Sequence, residues 1–368
     1  MNRQGISYYW LRNVFKHLDG ILLALVLGVL IISATVVYSA SGQSMTRLTG
    51  HIINMALALG VMGLIANIPP HLLARVGPPV YALGVVLLVG VALFGEVRNG
   101  ARRWIDLGFA FQPSELLKLA LPLMLAWYFQ RNEAILGWKH QATGGLLLLV
   151  PFLLILRQPD LGTAMLIGAS GFYLLFFAGL SWKIIVGGGT AALASLPLVW
   201  NLMHDYQRQR VMTLLDPSSD PLGAGYHIIQ SSIAIGSGGF MGDGWMKGTQ
   251  NQLDFIPERT TDFIFAVFGE EFGYLGALVL MFLYLGIVAR GLLIAVRAST
   301  LFGRLMAGTI SLNFFTYVFV NMGMVSGVLP VVGVPLPLMS YGGTAMITLM
   351  LGLGIVMSIA SHRQLNKS

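Results

Sequence analysis

Long apolar runs separated by short polar breaks dominate the chain. Runs long enough to cross a hydrocarbon core, roughly 20 residues with a range of about 17–25, occupy 20–41, 49–68, 76–95, 113–130, 141–157, 162–181, 184–203, 263–289, 305–327 and 343–361. They predict ten membrane-spanning helices. Nothing along the chain shows the period-2 alternation of an outer-membrane barrel strand. The fourth run is interrupted by Lys118, and the fifth contains Pro151 in a short apolar centre. The connections are short with one exception, the hydrophilic segment 204–262 between the seventh and eighth runs. The pattern predicts an all-α polytopic membrane protein, a single domain over residues 1–368 with 204–262 as its one large loop.

Composition sharpens this picture. Of 368 residues, 56% are hydrophobic and 10% charged, whereas a typical soluble domain carries roughly 25% charged residues. A soluble enzyme is excluded, and so is disorder, because 20 Phe, 12 Tyr and 7 Trp sit among the aliphatic runs. The absence of cysteine removes disulfides, thiolate metal sites, iron–sulfur clusters and Cys nucleophiles.

The net charge of +7 reads as a topology signal. In a ten-span arrangement Arg3, Arg12, Lys16, Arg75, Arg131, Lys139, Lys183, Arg290, Arg297, Arg304, Arg363 and Lys367 share one side, against only Asp19 and Glu133. The positive-inside bias makes that side cytoplasmic, with both termini inside and 204–262 outside. No nucleic-acid partner is indicated. The first run exceeds the apolar region of a cleaved signal peptide, about 7–15 residues, so it is expected to remain as a span.

The long loop is not disordered in composition. Tyr206, Tyr226, Ile228, Ile229, Phe240, Trp245, Phe255 and Ile256 are expected to dock onto something, with a passive connector as the plain alternative. Its GSGGFMGDGWMKG stretch at 236–248 lacks the G-K-[ST] ending of a phosphate loop and follows no strand, so it reads as flexible backbone around Trp245. The seven His are scattered without ligand spacing. No cofactor is called for, and an oxygen-ligated divalent cation, Mg or Mn, stays open where acidic residues meet a phosphate.

Four ionisable clusters remain on the outer side. NGARRWIDLG at 99–108 carries Arg102 and Arg103 and precedes FQPSE at 111–115. Glu115 and Lys118, three apart, share a helix face near its outer end. Isolated charge within a span costs at least about 2.5–3.5 kcal/mol, so the pair reads as functional, with a structural ion pair as the alternative. RQPDLGT at 157–163 carries Arg157 and Asp160, a site residue or a solvated turn. HDYQRQRV at 204–211 carries Arg208 and Arg210, whose guanidinium forks suit phosphate oxygens of a substrate or of lipid headgroups. FIPERTTDFIFAVFGEEFG at 255–273 carries Arg259 and, at the threshold of a span, Asp262, a reactive carboxylate or a helix N-cap.

In this order the clusters closely resemble the SEDS family of ten-span cell-wall proteins, from YSASG at 38–42 to VVGVPLPLMSYGG at 331–343. LDPSSDPLGAGYHIIQS and PERTTDFIFAVFGEE are among the most specific pieces; HDYQRQRV, KGTQNQL, ERTTDF and VGVPLPLMSYGG favour the elongation branch over the division branch. Stretches 40–55 and 180–200 look like lipid-facing filler. The resemblance implies a peptidoglycan glycosyltransferase that polymerises lipid II on the outer face of the cytoplasmic (inner) membrane and releases undecaprenyl pyrophosphate. It makes Asp262 the essential carboxylate and brings Glu115, Lys118 and Asp160 to the same cavity. It also implies a class B penicillin-binding protein transpeptidase as partner, its helix docked on spans eight and nine, among other elongation-complex proteins. Asn313 and Asn321 in span nine would need partners within the bundle or across that interface.

The chemistry agrees with this assignment. The 4-hydroxyl of one GlcNAc must attack the anomeric carbon of a lipid-linked MurNAc, and pyrophosphate leaves once its charge is neutralised. One carboxylate base plus cations suffices, and general-base assistance is typically worth about 10²–10⁴ in rate. Asp262 is the expected base, with Lys118, Arg102, Arg103, Arg208, Arg210 and Arg259 as cations; Glu270 and Glu271 compete from about two turns deeper. The rivals are a lipid II flippase, which needs a charged cavity open to the cytoplasm, and a non-catalytic scaffold, which leaves Glu115 and Lys118 without a purpose.

Overall fold

The computed structural model describes residues 18–98, 101–106, 110–135, 137–158, 160–203, 205–220 and 223–362. Each of the ten apolar runs falls on a helix: α1 (Gly20–Ala40), α2 (Met45–Ala66), α3 (Pro70–Phe94), α4 (Pro113–Arg131), α5 (Trp138–Leu156), α6 (Leu161–Phe177), α7 (Trp182–Leu202), then α11 (Ile264–Val296), α12 (Leu301–Val325) and α13 (Gly343–Ser361). Among the described residues seven of these, α1–α3, α5 and α11–α13, are long and apolar enough to cross a membrane. α4 lies outside that set and carries Glu115, Lys118 and Arg131, and α6 is 17 residues long. The chain is a multi-pass helical membrane protein.

Sequence marks where these helices start. Asp19 accepts from Leu22 N (2.9 Å) at α1, and Asp160 accepts from Thr163 N (3.1 Å) at α6. Thr300 does the same for Gly303 N (3.1 Å) at α12. Each satisfies an amide that the first turn leaves without a helical partner. Glycine lets the helices meet closely: a Cβ on Gly77 of α3 would stand 2.8 Å from Leu123 O of α4, and one on Gly354 of α13 would stand 2.7 Å from Met62 O of α2. Asp19 also binds Arg290 of α11 through two bonds (3.0 and 2.6 Å), tying the start of α1 to the far half of α11.

Two connections besides 204–262 are long, which corrects the single exception expected. Between α3 and α4 a small antiparallel sheet, β1 (Glu96–Arg98), β2 (Ala101–Asp106) and β3 (Ala110–Phe111), is added to the otherwise helical fold. Its pairing runs Arg98↔Ala101 and Asp106↔Ala110. The Asn-Gly dipeptide at 99–100 is the sequence signal for such a hairpin. The second connection, 326–342, is an ordered loop between α12 and α13.

The segment 204–262 forms α8 (Asp205–Leu215), α9 (Ala224–Ser237) and α10 (Thr249–Gln252). α9 docks: Ala234 and Ile228 are buried, and Ser231 Oγ donates to Val325 O (2.8 Å) at the end of α12. Three of the aromatic residues expected to dock behave differently. Phe240, Trp245 and Phe255 stay largely exposed, although the Trp245 indole N–H reaches Thr35 O (3.1 Å).

The glycine-rich stretch has a structural task. α11 breaks at Gly273, where φ is 61°. The break strands backbone groups on both sides, and residues 239–244 take them up: Asp243 N and Gly244 N donate to Glu270 O and Glu271 O, while Tyr274 N and Leu275 N donate to Gly239 O and Phe240 O, all at 3.0 Å. Gly242 is needed for the approach, since a Cβ there would stand 2.2 Å from Glu271 O. Irregular backbone at such a place is tolerated only where protein satisfies it.

Candidate active site

The residues 257–263 lead into α11 and carry Asp262. Three consecutive carbonyls of this turn are each held by a donor from elsewhere. Tyr341 N donates to Thr260 O (2.8 Å), Ser340 Oγ to Thr261 O (2.6 Å), and Asn321 Nδ2 to Asp262 O (2.8 Å). Asn321 uses its second amide hydrogen on Val334 O (2.7 Å). The loop 326–342 thereby forms a wall beside the carboxylate, where a Cβ on Gly333 would meet Asp262 Oδ2 at 3.5 Å. Asp262 is half-buried, and burial first, then the neighbouring Glu258 carboxylate, pushes its pKa up to about 6.

The wall continues to Asp160. A Cβ on Gly162 would stand 2.8 Å from Val332 O, so the start of α6 abuts the same loop. Asp160 is buried, caps α6, and accepts from Gln112 Nε2 (3.2 Å) at the start of α4. One turn into α4, Lys118 Nζ meets Glu115 Oε1 at 2.6 Å and lies 5.4 Å from the centre of the Tyr317 ring. Glu115 Oε2 is buried without a hydrogen-bond partner among the described residues. The ends of α4, α6, α11 and α12 are thus linked through Glu115, Lys118, Asp160 and the Asp262 turn.

An apolar cavity of about 470 Å³ runs along α2, α3, α4 and α13. Ile65, Leu73 and Ile355 line one end of it, and Trp104, Gln112 and Glu115 the other. A smaller one of about 40 Å³ lies beyond Leu119, with Lys118, Tyr317, Asn313 and Ser170 on its wall.

Two of the remaining candidate cations have other engagements. Arg259 pairs with Asp254 and donates to Asn251 O. Arg208 donates to Trp200 O (2.9 Å) and Asn201 O (2.8 Å), capping the end of α7. Arg210 lies two residues on, half-buried in α8. Arg102 and Arg103 have their backbone in β2, and their side chains lie outside the described residues.

The competing carboxylates are anchors. Glu270 accepts from Gln250 N (2.7 Å) and Asn251 N (3.1 Å), and Glu271 accepts from Ser39 Oγ and Asn251 Nδ2. Both are buried and fix α10 against α1 and α11. Asn313 bonds Ser170 (2.9 Å), so both asparagines of α12 find partners inside the bundle. The stretch 40–55, expected to face lipid, also places His51 in the interior, bonded to Ser33 (2.8 Å) and stacked on Tyr341. Sequence reasoning missed Asn321, Ser340 and Gly333 as parts of the site; the polar Asn321 within an apolar run was the available signal.

Comparison with known proteins places the whole chain among relatives. A family profile described as cell cycle protein and spanning FtsW, RodA and SpoVE matches residues 16–365. The peptidoglycan glycosyltransferase MrdB of Escherichia coli K12 is 54% identical over 95% of both chains. A probable peptidoglycan glycosyltransferase FtsW of Idiomarina loihiensis is 35% identical over 94% of this chain and 88% of its own. Among solved structures, a chain of a peptidoglycan synthase complex that coordinates polymerization and crosslinking superposes with a TM-score of 0.81 at 34% identity, covering 94% of this chain and 99% of that one. The rod shape determining protein RodA of Thermus thermophilus gives 0.70 at 29% identity over 95% and 98%. A match over nearly the whole length makes this chain a member of the FtsW/RodA/SpoVE family.

Proposed function

We propose that this chain is a peptidoglycan glycosyltransferase of the elongation type, polymerising lipid II with Asp262 as general base. The observation that carries this reading is the Asp262 turn: a half-buried carboxylate with three successive carbonyls fixed, at the head of a membrane helix. The GlcNAc 4-hydroxyl of one lipid II forms a bond to the anomeric carbon of a lipid-linked MurNAc. Its proton passes to an Asp262 oxygen, the bond from that carbon to pyrophosphate breaks, and undecaprenyl pyrophosphate leaves. A pKa near 6 suits a base that works close to neutrality.

The apolar cavity between α3, α4 and α13 suits the isoprenoid chain, and it ends where Glu115 and the adjacent Lys118 would meet the pyrophosphate. A Mg or Mn ion used in the reaction would be one that the substrate phosphates bring with them. The membrane reading follows: ten spans in the cytoplasmic membrane, termini inside, 204–262 outside. A cysteine at Ser219 should accordingly react with an impermeant thiol reagent on intact cells, while one at Ser368 should not.

A groove of about 280 Å³ between α11 and α12, lined by Met281, Leu285, Phe315, Phe319, Met322 and Val328, offers a seat for the single helix of a class B penicillin-binding protein, within a larger elongation complex. The deciding experiment is a polymerisation assay with purified Asp262→Asn and lipid II. A loss of at least ~10² in rate with lipid II still bound is expected; near wild-type rate overturns the base, and lipid flipping without polymerisation by any variant transfers the reading to a flippase.

A further inference from the structure

We infer that Asn321 positions Asp262 for proton abstraction, setting the gap in which the acceptor hydroxyl must lie. This rests on Asp262 as the base. Asn321 is fully buried, and its two amide hydrogens go to two different walls of the site: Asp262 O at 2.8 Å and Val334 O at 2.7 Å. Two carbonyl neighbours settle which end of the side chain is nitrogen. Val334 adjoins Gly333, the residue that faces Asp262 Oδ2. One side chain therefore holds both the residue that bears the carboxylate and the wall opposite it.

The other two clamps on the turn are of a different kind. Tyr341 contributes a backbone N–H, which most side chains at that position would leave in place. Ser340 Oγ is shared with Leu336 N (2.8 Å) and belongs to the wall loop itself. Asn321 ties the turn to a membrane helix. Four residues earlier, on the same face of α12, Tyr317 lies under Lys118 at 5.4 Å, and four earlier again Asn313 bonds Ser170. That spacing is about 6 Å of helix rise per step. A single helical stripe thus sets the base, through Asn321, in register with the cation, through Tyr317.

A base must stand within about 2.6–3.2 Å of the proton it takes, and a 1 Å misplacement can cost about 10²-fold. Removing the amide leaves two interior carbonyls without donors, and the turn relaxes. The test uses the purified chain with its partner bound, steady-state lipid II polymerisation, and the variants Asn321→Leu, which is apolar and of similar size, and Asn321→Gln, which keeps both donors one methylene further out. The Leu variant should lose kcat by about tenfold or more with KM within about twofold. It should also shift the acidic limb of the kcat–pH profile, and the Gln variant should fall between it and wild type. A kcat loss that only tracks the folded fraction, with the limb unmoved, makes Asn321 a packing residue and overturns the inference. If the Leu variant does not fold, Asn321→Ser and Asn321→Gln supply the same comparison. Asp262→Asn is assayed beside them. Its polymerising overturns the base and this inference together, whereas an inactive Asp262→Asn beside wild-type kcat in Asn321→Leu overturns this inference alone.

Discussion

Gly333 faces Asp262 at a distance where a methyl group would just touch the carboxylate, 3.5 Å from a built Cβ to Oδ2. The space is ordinary; the backbone is not, because Gly333 has φ of +71°. An L side chain there costs roughly 1–2 kcal/mol. Gly333→Ala should relieve that strain by moving the wall loop away from Asp262. The expected outcome is a soundly expressed protein with a clear loss of polymerisation and a slightly lower melting temperature. Unchanged turnover would mean that this wall is not near the reacting groups.

The raised pKa of Asp262 fixes a pH dependence with a definite sign. The proposed base would work deprotonated, so polymerisation should climb as pH rises through about 6 and level off above it. For stability the sign reverses. A carboxyl whose folded pKa lies above its unfolded value, with burial as the main cause and Glu258 second, stabilises the fold when protonated and loses that contribution as pH rises from about 4 to 6. Asp262→Asn should therefore gain thermal stability relative to wild type at pH 8 and lose that advantage at pH 4. Melting curves at the two values, read against each other, check this.

Glu115 and Lys118 form a mostly buried pair, so removing one partner leaves an uncompensated charge. Lys118→Met should cost about 3–5 kcal/mol of stability. Exchanging both, Glu115→Lys with Lys118→Glu, should restore much of the fold and little of the activity, because the substrate then meets the opposite charge. Full polymerisation by the exchanged protein would reduce the pair to a structural role.

The groove on α11 and α12 should behave as a docking seat. Phe319 and Phe315 are exposed there and stack on each other. Phe319→Arg should abolish co-purification of the class B penicillin-binding protein while leaving lipid II binding intact. Retained co-purification would move the interface elsewhere on the bundle.

Apolar runs located the ten long helices among the described residues, seven of them long and apolar enough to cross a membrane. The site was legible where charge stood out against that background, as at Glu115, Lys118 and Asp262. What escaped was pairing across distance. Arg259 reads as a free cation until Asp254 is seen to take it. Glu270 and Glu271 read as candidate bases until α10 is found resting on them. Gly242 reads as loop flexibility, and its partner Gly273 lies 31 residues further along the chain. The sheet at 96–111 was hidden for another reason: its strands are too short to show alternation.

The break in α11 bears on how the protein is made. Most spans can enter the bilayer one at a time, since a continuous helix satisfies its own backbone. The segment around Gly273 cannot, because four of its backbone groups find their partners in residues 239–244. Those residues are synthesised first and, in the proposed topology, have already crossed the membrane when 264–296 leaves the ribosome. Biogenesis then acquires an obligatory order: the exported turn must wait at the outer surface, folded enough to receive the arriving helix. A lesion at Gly242 would appear as a failure of membrane integration, and the protein would be cleared before its chemistry could be assayed.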